Sequence, residues 1–390
     1  MTEIIDYIKS FLTYGNTEAA KLIGYTNNPD EFKNYKLVII PNGHLGKDIV
    51  LPFMGNLKPL ASNHSPLAFI IEDDIIYTTF FFLSRAEELL VPERDEHGRF
   101  TAKYSILGKH NRLQIPLLDE YARAVMKLLD LPLPPSQFNH IYLTHDIDTI
   151  AHYRHLRGFI GGWLRDGMDP VLNAINDIKN DPAYTFPWLV RQDNKVPSAE
   201  VIYFVKDTKG KGYDYPQYNL RGKDWLRLAK YITSHGAKLG LHSSYYGLST
   251  FHSPLSTLHR SHYLRCSIDN MQRLADAGIT DDFTIGFPDQ AGFRLQTTRA
   301  VRWINPKTMT LTSLTLHPLT VMDGTLSQPN YMNLTEDEAY FLCQRLFDKV
   351  RQNNGDLCLL WHNTSITLAS NLSPFAYHKS LYPKLLSLLK

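Results

Sequence analysis

The apolar positions of residues 138–390 follow two alternating spacings. Short runs rich in β-branched and aromatic residues predict strands, and longer runs with apolar residues every three or four positions predict helices. The strand-like runs are HIYLTHDID, EVIYFV, AKLGLHSSY, TSLTLHPLTVMD and DLCLLWHN, and the helical runs include GKDWLRLAKYITSHG and LTEDEAYFLCQRLFDKVRQNNG. In the last run Thr335 is placed to cap the helix with Glu338 three residues on, and Gly355 is placed to end it. This alternation predicts parallel strands in a sheet or barrel.

Residues 1–134 show a mixed pattern. The runs YKLVIIPNG and LAFIIEDDIIYTTFFFL are dominated by β-branched and aromatic residues and predict strands, whereas LDEYARAVMKLLDL predicts an amphipathic helix. The segment PLPPSQFNH, Pro132–His140, has three prolines in four positions and predicts a stiff connector. We therefore expect a smaller α+β domain over residues 1–134 and a β/α domain over residues 135–390.

Composition narrows the functional classes. The 390 residues are 43% hydrophobic and 21% charged, as in soluble globular proteins, and their number makes two domains the default expectation. Lys and Arg together number 41 against 39 Asp and Glu, so the charge balance gives no argument for nucleic acid as a partner. Composition leaves the oligomeric state open.

Cysteine use and the lengths of the apolar runs bear on location. Cys266, Cys343 and Cys358 are scattered, odd in number and in no CxxC spacing, which indicates reduced thiols rather than a disulfide framework. No run reaches the roughly 18 apolar residues of a membrane-spanning helix. The opening MTEIIDYIKSFLTYG lacks the pattern of a secretory signal. These features predict a cytoplasmic protein without a membrane span.

Polar residues gather where the predicted strands end. Asp146 and Asp148 close the first strand and His242 follows another, while Asp323 and His362 close later ones. In parallel β/α folds the carboxyl ends of the strands form the edge at which ligands bind. Their shared position weighs more than any single motif.

The two aspartates fit either a metal site or a turn. Residues i and i+2 of a strand share a face about 7 Å apart, so Asp148 is placed to bind a cation while Asp146 stays free as a base. A divalent cation also removes the repulsion between neighbouring carboxylates. The alternative is a turn, with Thr149 capping the next helix.

Histidines in the following motifs extend the possible metal site. Two imidazoles and one carboxylate form a common catalytic zinc set that leaves one position open for water. His242 and His262 are the candidates, although His259 lies close to His262 and His317 is a weak competitor. A lone histidine at a strand end is more often structural.

The remaining candidates are less specific. Arg294 follows the irregular stretch GFPDQAG and is a candidate for orienting a carboxylate or binding substrate. Trp361 and His362 come together in LLWHN and suit a sugar-binding wall and a general acid. Asp323 in PLTVMDGTL either supports a catalytic histidine or arginine, or forms a turn before Gly324.

Taken in order, LTHDID, GLHSSYY, RSHYLR, GFR, PLTVMDGTL and LLWHN resemble the motifs of the NodB-type polysaccharide deacetylases, over roughly residues 138–390. The chain looks most like a divergent bacterial branch of that family with an additional N-terminal domain of unknown role. The resemblance implies a distorted β/α barrel of the NodB-homology type. It also implies metal-dependent hydrolysis of an N-acetyl or related acyl group on a sugar.

The resemblance also implies roles for single residues. Motif matching puts Asp146 in the position of the general base, His362 in that of the general acid and Arg294 in that of the arginine that positions the base. Asp148 and His242 match metal ligands. Apart from the resemblance, the positions of four further residues predict that Asp323 belongs to the catalytic group and that Tyr245, Tyr246 and Trp361 bind substrate.

Two departures from the family pattern concern the metal. The family's first motif has adjacent aspartates, whereas Ile147 separates Asp146 from Asp148 here. The second motif has two histidines four residues apart, and Tyr246 holds the second place in this chain. His262, from the next strand end, is the candidate to replace the missing ligand.

These observations predict a metal-dependent carbohydrate deacetylase acting on an amino-sugar glycan or its biosynthetic precursor. Zinc is the favoured cofactor, with cobalt, nickel and manganese as alternatives. One competing interpretation is hydrolysis of another amide, such as deformylation of a smaller sugar or a heterocycle. Another is a catalytically degenerate carbohydrate-binding module on the same barrel, which Tyr246 favours. Retention of both an acid and a base favours the enzyme, because a binding module needs neither.

Overall fold

The computed structural model describes residues 1–61, 69–206, 212–215, 218–245, 256–367 and 377–390. Every structural statement below concerns these residues. Tyr246, predicted to contact substrate, lies outside them.

Within residues 1–61 and 69–134, the described parts of the N-terminal region form a four-stranded sheet and six short helices. The strands are β1 (Ile23–Tyr25), β2 (Leu37–Ile39), β3 (Leu60–Ala61) and β4 (Phe69–Ile71), in the spatial order β1-β2-β4-β3. Only the pairing of β3 with β4 is antiparallel. The helices are α1 (Thr2–Leu12), α2 (Thr17–Lys21), α3 (Ile75–Leu83), α4 (Glu87–Leu90), α5 (Ile106–Lys109) and α6 (Leu117–Leu128), and a 3-10 helix spans Pro29–Asn34.

Two predictions for this region have opposite outcomes. The amphipathic helix predicted in LDEYARAVMKLLDL is confirmed as α6. The run IIYTTFFFL, predicted as a strand, is helix α3, so that prediction was wrong. Asp74 caps α3 by accepting a hydrogen bond from the Tyr77 backbone N at 2.8 Å, and all nine residues of the helix are buried. A helix enclosed on every side accommodates apolar residues all round, so packing overrides the strand preference of these residues.

The second region is built on a nine-stranded sheet. Its strands are β5 (His140–Ile147), β6 (Glu200–Lys206), β7 (Lys238–Ser243), β8 (Leu258–Ser261), β9 (Asp281–Asp282), β10 (Val301–Asn305), β11 (Thr310–Leu316), β12 (Val321–Met322) and β13 (Asp356–Leu360). The spatial order is β10-β11-β9-β8-β7-β6-β5-β13-β12. All neighbours are parallel except β10 and β11. The mixed α/β class is confirmed, whereas a NodB-type barrel stays a prediction.

Helices connect and flank these strands. They are α7 (Leu156–Asp166), α8 (Met168–Asn176), α9 (Phe186–Asp193), α10 (Lys223–Ser234), α11 (Ile268–Asp276), α12 (Asp323–Ser327), α13 (Glu336–Gln352) and α14 (His378–Ser387). Short 3-10 helices span Ile178–Asn180, Gly212–Asp214, His262–Leu264 and Asn363–Ile366. No helix in these ranges combines the length and the apolar character needed to cross a bilayer.

The predicted start of α13 is confirmed, and its end differs in detail. Thr335 and Glu338 form the expected capping box. The residue with left-handed backbone after the helix is Asn354, with φ 50°, and not Gly355. Gly355 has a different constraint, since a Cβ there would lie 2.1 Å from Thr298 Oγ1.

The two regions share one hydrophobic core. Side chains such as Ile8, Phe81 and Leu118 pack in the same cluster as Trp303 and Leu316 of the large sheet. A domain division near residue 134 therefore stays a prediction about the chain, since the apolar packing runs across it.

Candidate metal centre and active site

Four neighbouring strands bring the candidate residues to one edge of the large sheet. Lys206 at the end of β6 pairs with His242 of β7, and His242 pairs with Arg260 of β8. Asp148 directly follows β5, and His262 begins the turn after β8. Parallel strands thus align the ends of four separate sequence motifs.

Asp148, His242 and His262 come together as the expected metal-binding set. Asp148 Oδ1 lies 3.1 Å from His262 Nε2 and 3.5 Å from His242 Nε2. One potential ligand atom from each of the three residues lies within 4.8 Å of the other two. The second motif lacks its second histidine in this chain, because Tyr246 holds that position. His262 lies where that missing ligand is expected.

The hydrogen bonds around His242 fit a cation at this point. Its Nδ1–H donates to the carbonyl of Arg260 at 3.0 Å, which leaves the lone pair of Nε2 directed at Asp148. Burial lowers the pKa of His242, so the ring is neutral. Nε2 is buried and has no hydrogen-bond partner among the described residues. A lone pair facing a carboxylate without a donor is unfavourable, and a divalent cation between them would satisfy both.

His262 is held by a second carboxylate. Its Nδ1 lies 2.8 Å from Asp214 Oδ1, so Nε2 is the atom directed at Asp148. Asp214 also accepts hydrogen bonds from Ser244 Oγ and from the Tyr245 backbone N. Burial acts to raise the pKa of Asp214, but hydrogen bonds from His262 and Ser244 outweigh it and hold the pKa at about 2. A carboxylate behind a histidine ligand fixes its ring and strengthens it as a ligand.

The structure separates His262 from its competitors. His259 contacts Asp282 at 2.7 Å through Nδ1 and Ser243 Oγ at 2.9 Å through Nε2, and it is fully buried. His317 contacts Asp281 at 2.8 Å. His259 thus contacts other groups than Asp148 through both ring nitrogens, and His317 does so through Nε2.

A buried lysine lies beside the three candidate ligands. Lys206 Nζ is 3.4 Å from Asp148 Oδ1 and donates to the carbonyl of Asp214 at 3.3 Å. Only 2% of its side chain is exposed. Lys206 therefore partly neutralises Asp148.

Arg260, rather than Arg294, contacts the predicted base. Arg260 is fully buried, and its Nη1 lies 3.1 Å from Asp146 Oδ1 and 2.7 Å from Thr144 Oγ1. Asp146 Oδ2 faces the candidate metal site, 3.7 Å from His242 Nε2 and 4.0 Å from His362 Nε2. Arg260 thus orients the carboxylate through one oxygen and leaves the other facing the site.

Arg294 lies in a different buried cluster, which contradicts its predicted role. Its Nη2 donates to Glu88 Oε1 at 2.6 Å and its Nη1 donates to the carbonyl of Gly286 at 2.8 Å. Glu88 also pairs with Arg85 at 2.8 Å. Arg294 therefore connects the segment between β9 and β10 to α4 of the N-terminal region.

His362 and Asp323 form the pair that the sequence suggested. His362 Nδ1 lies 2.8 Å from Asp323 Oδ1, and the His362 backbone N donates to Asp323 Oδ2 at 2.6 Å. Burial acts to lower the pKa of His362, but the adjacent Asp323 outweighs it and raises the pKa to about 10. Nε2 of His362 is directed towards the centre, 3.9 Å from Asp148 Oδ2.

A cleft of about 790 Å³ opens over these groups. Its lining includes Asp146, Asp148, His262, Asp323 and His362. This volume lies within the range of roughly 300–1,000 Å³ that is typical of small-molecule sites. Tyrosines from several segments also line it, namely Tyr104, Tyr213, Tyr215, Tyr263 and Tyr331.

Of two further aromatic residues predicted to contact substrate, Trp361 lies elsewhere and Tyr245 packs against a residue of the cleft lining. Trp361 is fully buried against Tyr382 and His378, which contradicts its predicted place in a sugar-binding wall. Neighbouring residues of an extended chain point to opposite sides, so with His362 in the cleft Trp361 points into the core. Tyr245 is not among the described lining residues, and its ring packs 4.5 Å from that of Tyr213.

Sequence reasoning missed Asp214, Lys206 and Arg260 as members of the site. Lys206 and Arg260 lie at strand ends and were open to the same reasoning as His242. Asp214 lies in GKGYDYP, where no spacing marks it as a partner of a histidine 48 positions later.

Comparison with known proteins gives limited likeness. A family model described as a family of unknown function, DUF7033, matches residues 4–134. A search of curated proteins gives no match. A solved structure of a provisionally named polysaccharide deacetylase from Mycobacterium smegmatis is 13% identical with a TM-score of 0.40, over 66% of this chain and 85% of that one.

A second solved structure is similar at the same level. It is a provisionally named polysaccharide deacetylase involved in O-antigen biosynthesis from Bordetella bronchiseptica. It is 15% identical with a TM-score of 0.32, over 65% of this chain and 84% of that one. Both TM-scores lie below 0.5, so neither likeness bears on the activity of this chain.

Proposed function

We propose that this protein is a metal-dependent hydrolase that removes an N-acetyl or related acyl group from an amino sugar in a glycan or its biosynthetic precursor. One observation carries the proposal. Asp148, His242 and His262 place three potential ligand atoms within 4.8 Å of one another, beside the Asp146 and His362 side chains of the same cleft.

The donor set favours zinc, with cobalt, nickel and manganese as alternatives. Two imidazole nitrogens and a carboxylate oxygen are a frequent catalytic zinc set, and the open cleft leaves room for water or substrate. A divalent ion held there supplies Lewis acidity towards water and towards the carbonyl oxygen of an amide.

Asp146 is proposed to accept the proton of the attacking water. Arg260 donates to Oδ1, which leaves Oδ2 facing the centre as the basic atom. Attack on the acyl carbon gives a tetrahedral intermediate, and its collapse breaks the C–N bond. The products are a carboxylate and the free amine of the sugar.

His362 is proposed to donate the proton to the leaving nitrogen. Asp323 holds Nδ1, so Nε2 is the nitrogen that faces the cleft. The Asp323 carboxylate also stabilises the imidazolium form and fixes its orientation. These two residues thus act as the acid and its support.

The position of Lys206 beside Asp148 favours the alternative function, a carbohydrate-binding module without a metal. An ammonium group 3.4 Å from Asp148 Oδ1 neutralises part of the charge that a metal would otherwise balance. The lone pair of His242 Nε2 has no such partner among the described residues, and this favours the metal-dependent enzyme.

Metal content of the purified protein distinguishes the two functions. After incubation with zinc and removal of free ion, we expect about one zinc per chain by elemental analysis. His262→Ala should lose it, while His235→Ala, at an exposed histidine of the same region, should keep it. A wild-type protein that takes up no zinc, cobalt or nickel would favour the binding module.

A further inference from the structure

The turn that carries His262 has a strained backbone. Tyr263 and Leu264, the two residues after His262, have φ values of 60° and 56°. Neither is glycine, and a left-handed backbone in two successive residues with large side chains costs free energy. Such a conformation persists only where the surrounding structure holds it. The contacts of residues 262–266, called the ligand turn here, therefore determine where the His262 ring lies.

The N-terminal region holds the ligand turn at both ends. At its start, the centre of the His97 ring lies 4.8 Å from that of the Tyr263 ring. The Arg99 guanidinium carbon lies 5.9 Å from the centre of the same tyrosine ring. At the end of the turn, Arg85 Nη2 donates to the carbonyl of Cys266 at 2.7 Å. All three N-terminal side chains belong to the stretch that matches the family of unknown function.

His97 also packs beside the carboxylate that holds His262. Its ring meets the Tyr213 ring edge-on at 5.3 Å and the Tyr245 ring edge-on at 6.0 Å, measured between ring centres. Tyr213 directly precedes Asp214 in the chain, and the Tyr245 backbone N donates to Asp214 Oδ1 at 3.0 Å. One ring from the N-terminal region thus packs on both sides of the contact between His262 and Asp214.

The ring of His97, rather than its polar atoms, makes these contacts. Its Nδ1 is buried and has no hydrogen-bond partner among the described residues. Its Nε2 lies 3.7 Å from Glu96 Oε1, which is too long for a hydrogen bond. A phenyl ring at position 97 would therefore keep the packing against the three tyrosines.

We propose that the N-terminal region sets the metal affinity of the candidate centre, with His97 as a positioning residue for His262. The His97 ring keeps the ligand turn in its left-handed conformation, so that the two nitrogens of His262 face Asp214 and Asp148. A histidine held in place before the metal arrives binds it more tightly, because less conformational freedom is lost on binding. This inference rests on the proposed function, since it takes His262 as a metal ligand.

Zinc affinity of two His97 variants tests this inference. Competition with a chromophoric zinc chelator measures the dissociation constant of the full-length protein. We expect His97→Ala to weaken zinc binding about tenfold or more, as changes behind a histidine ligand typically do. His97→Phe should stay within about threefold of the wild type, because an aromatic ring remains against the tyrosines.

A second position tests whether His97 acts through Tyr263. Tyr263→Ala removes the same ring contact from the other side and should weaken zinc binding by a similar factor. The variant with both substitutions should then be about as weak as either single one, whereas independent effects would multiply. Factors that multiply would contradict a shared contact. Tyr263→Ala also provides the test should His97→Ala fail to fold.

Controls separate this inference from the proposed function. His110→Ala changes an exposed histidine of the N-terminal region outside the described cleft lining and should leave the zinc affinity unaltered. Circular dichroism verifies that each variant is folded. Equal affinity of the wild type and folded His97→Ala, or an affinity that His97→Phe does not restore, would overturn this inference alone. A wild type that takes up no zinc would contradict the proposed function and this inference together.

Discussion

The two oxygens of Asp146 have different surroundings, and this difference underlies its proposed role. Arg260 binds Oδ1, while Oδ2 faces His242 and His362 across 3.7 and 4.0 Å. An arginine on one oxygen fixes the carboxylate plane, which is what a base needs to meet its water in one geometry.

Asp146→Asn should keep the metal and lose turnover. The amide has nearly the shape of the carboxylate but cannot accept the water proton, so kcat should fall about 100-fold or more. Acetate release from tri-N-acetylchitotriose measures kcat, and elemental analysis of the same sample measures zinc. Turnover equal to that of the wild type would contradict the base assignment.

Some residues of the candidate site were predictable from the sequence and others were not. Asp148, His242 and His262 were predictable because each lies at or directly after the end of a strand, and parallel strands align their ends. Which arginine reaches Asp146 was not predictable, since it depends on how side chains cross between strands in space. The burial of Trp361 was predictable from strand alternation, because it and His362 cannot both face the cleft, and the prediction that placed both there was wrong.

Helices and strands were predictable where the sequence pattern agrees with the packing of the folded chain. The amphipathic run of α6 and the capping box of α13 became helices as expected. The run that forms α3 has strand preferences, and its helix is imposed by burial on all sides, which one sequence window does not reveal. Burial has a further effect in helix α14, where it lowers the pKa of His378.

His378 should make stability depend on pH. Its fully buried side chain lies 2.8 Å from Ser327 Oγ, and burial lowers its pKa to about 4. The unfolded chain binds a proton near pH 6.5 while the folded one does not, so the free energy of unfolding falls as the pH drops from about 6.5 towards 4.

The size of this effect can be isolated with a variant. At pH 5 the protonation of His378 in the unfolded chain lowers the free energy of unfolding by about 2 kcal/mol. Denaturant unfolding of the wild type at pH 7 and pH 5 should show a loss larger by that amount than in His378→Gln, which does not titrate. Equal losses in both proteins would mean that His378 is protonated in the fold.

At the scale of the whole molecule, an ionic cluster joins the two regions. Glu88 of α4 pairs with Arg85 in the same region and with Arg294 across the boundary, and all three side chains are buried. Together with the shared apolar core, this cluster makes the N-terminal region part of the scaffold that holds the cleft.

Glu88→Gln should destabilise the whole protein. It leaves two buried guanidinium groups without their shared carboxylate, which costs about 3–5 kcal/mol. Denaturant unfolding measures the change, and Glu93→Gln at an exposed site provides the control. A midpoint unchanged by Glu88→Gln would show that the cluster contributes no stability.

X-ray absorption spectroscopy of the zinc-loaded protein tests the metal centre most directly. The account predicts two imidazole nitrogens and one carboxylate oxygen at about 2.0–2.2 Å. It also predicts that one imidazole signal disappears in His262→Ala. A first shell that contains sulfur, or one without any imidazole, would contradict a metal centre formed by Asp148, His242 and His262.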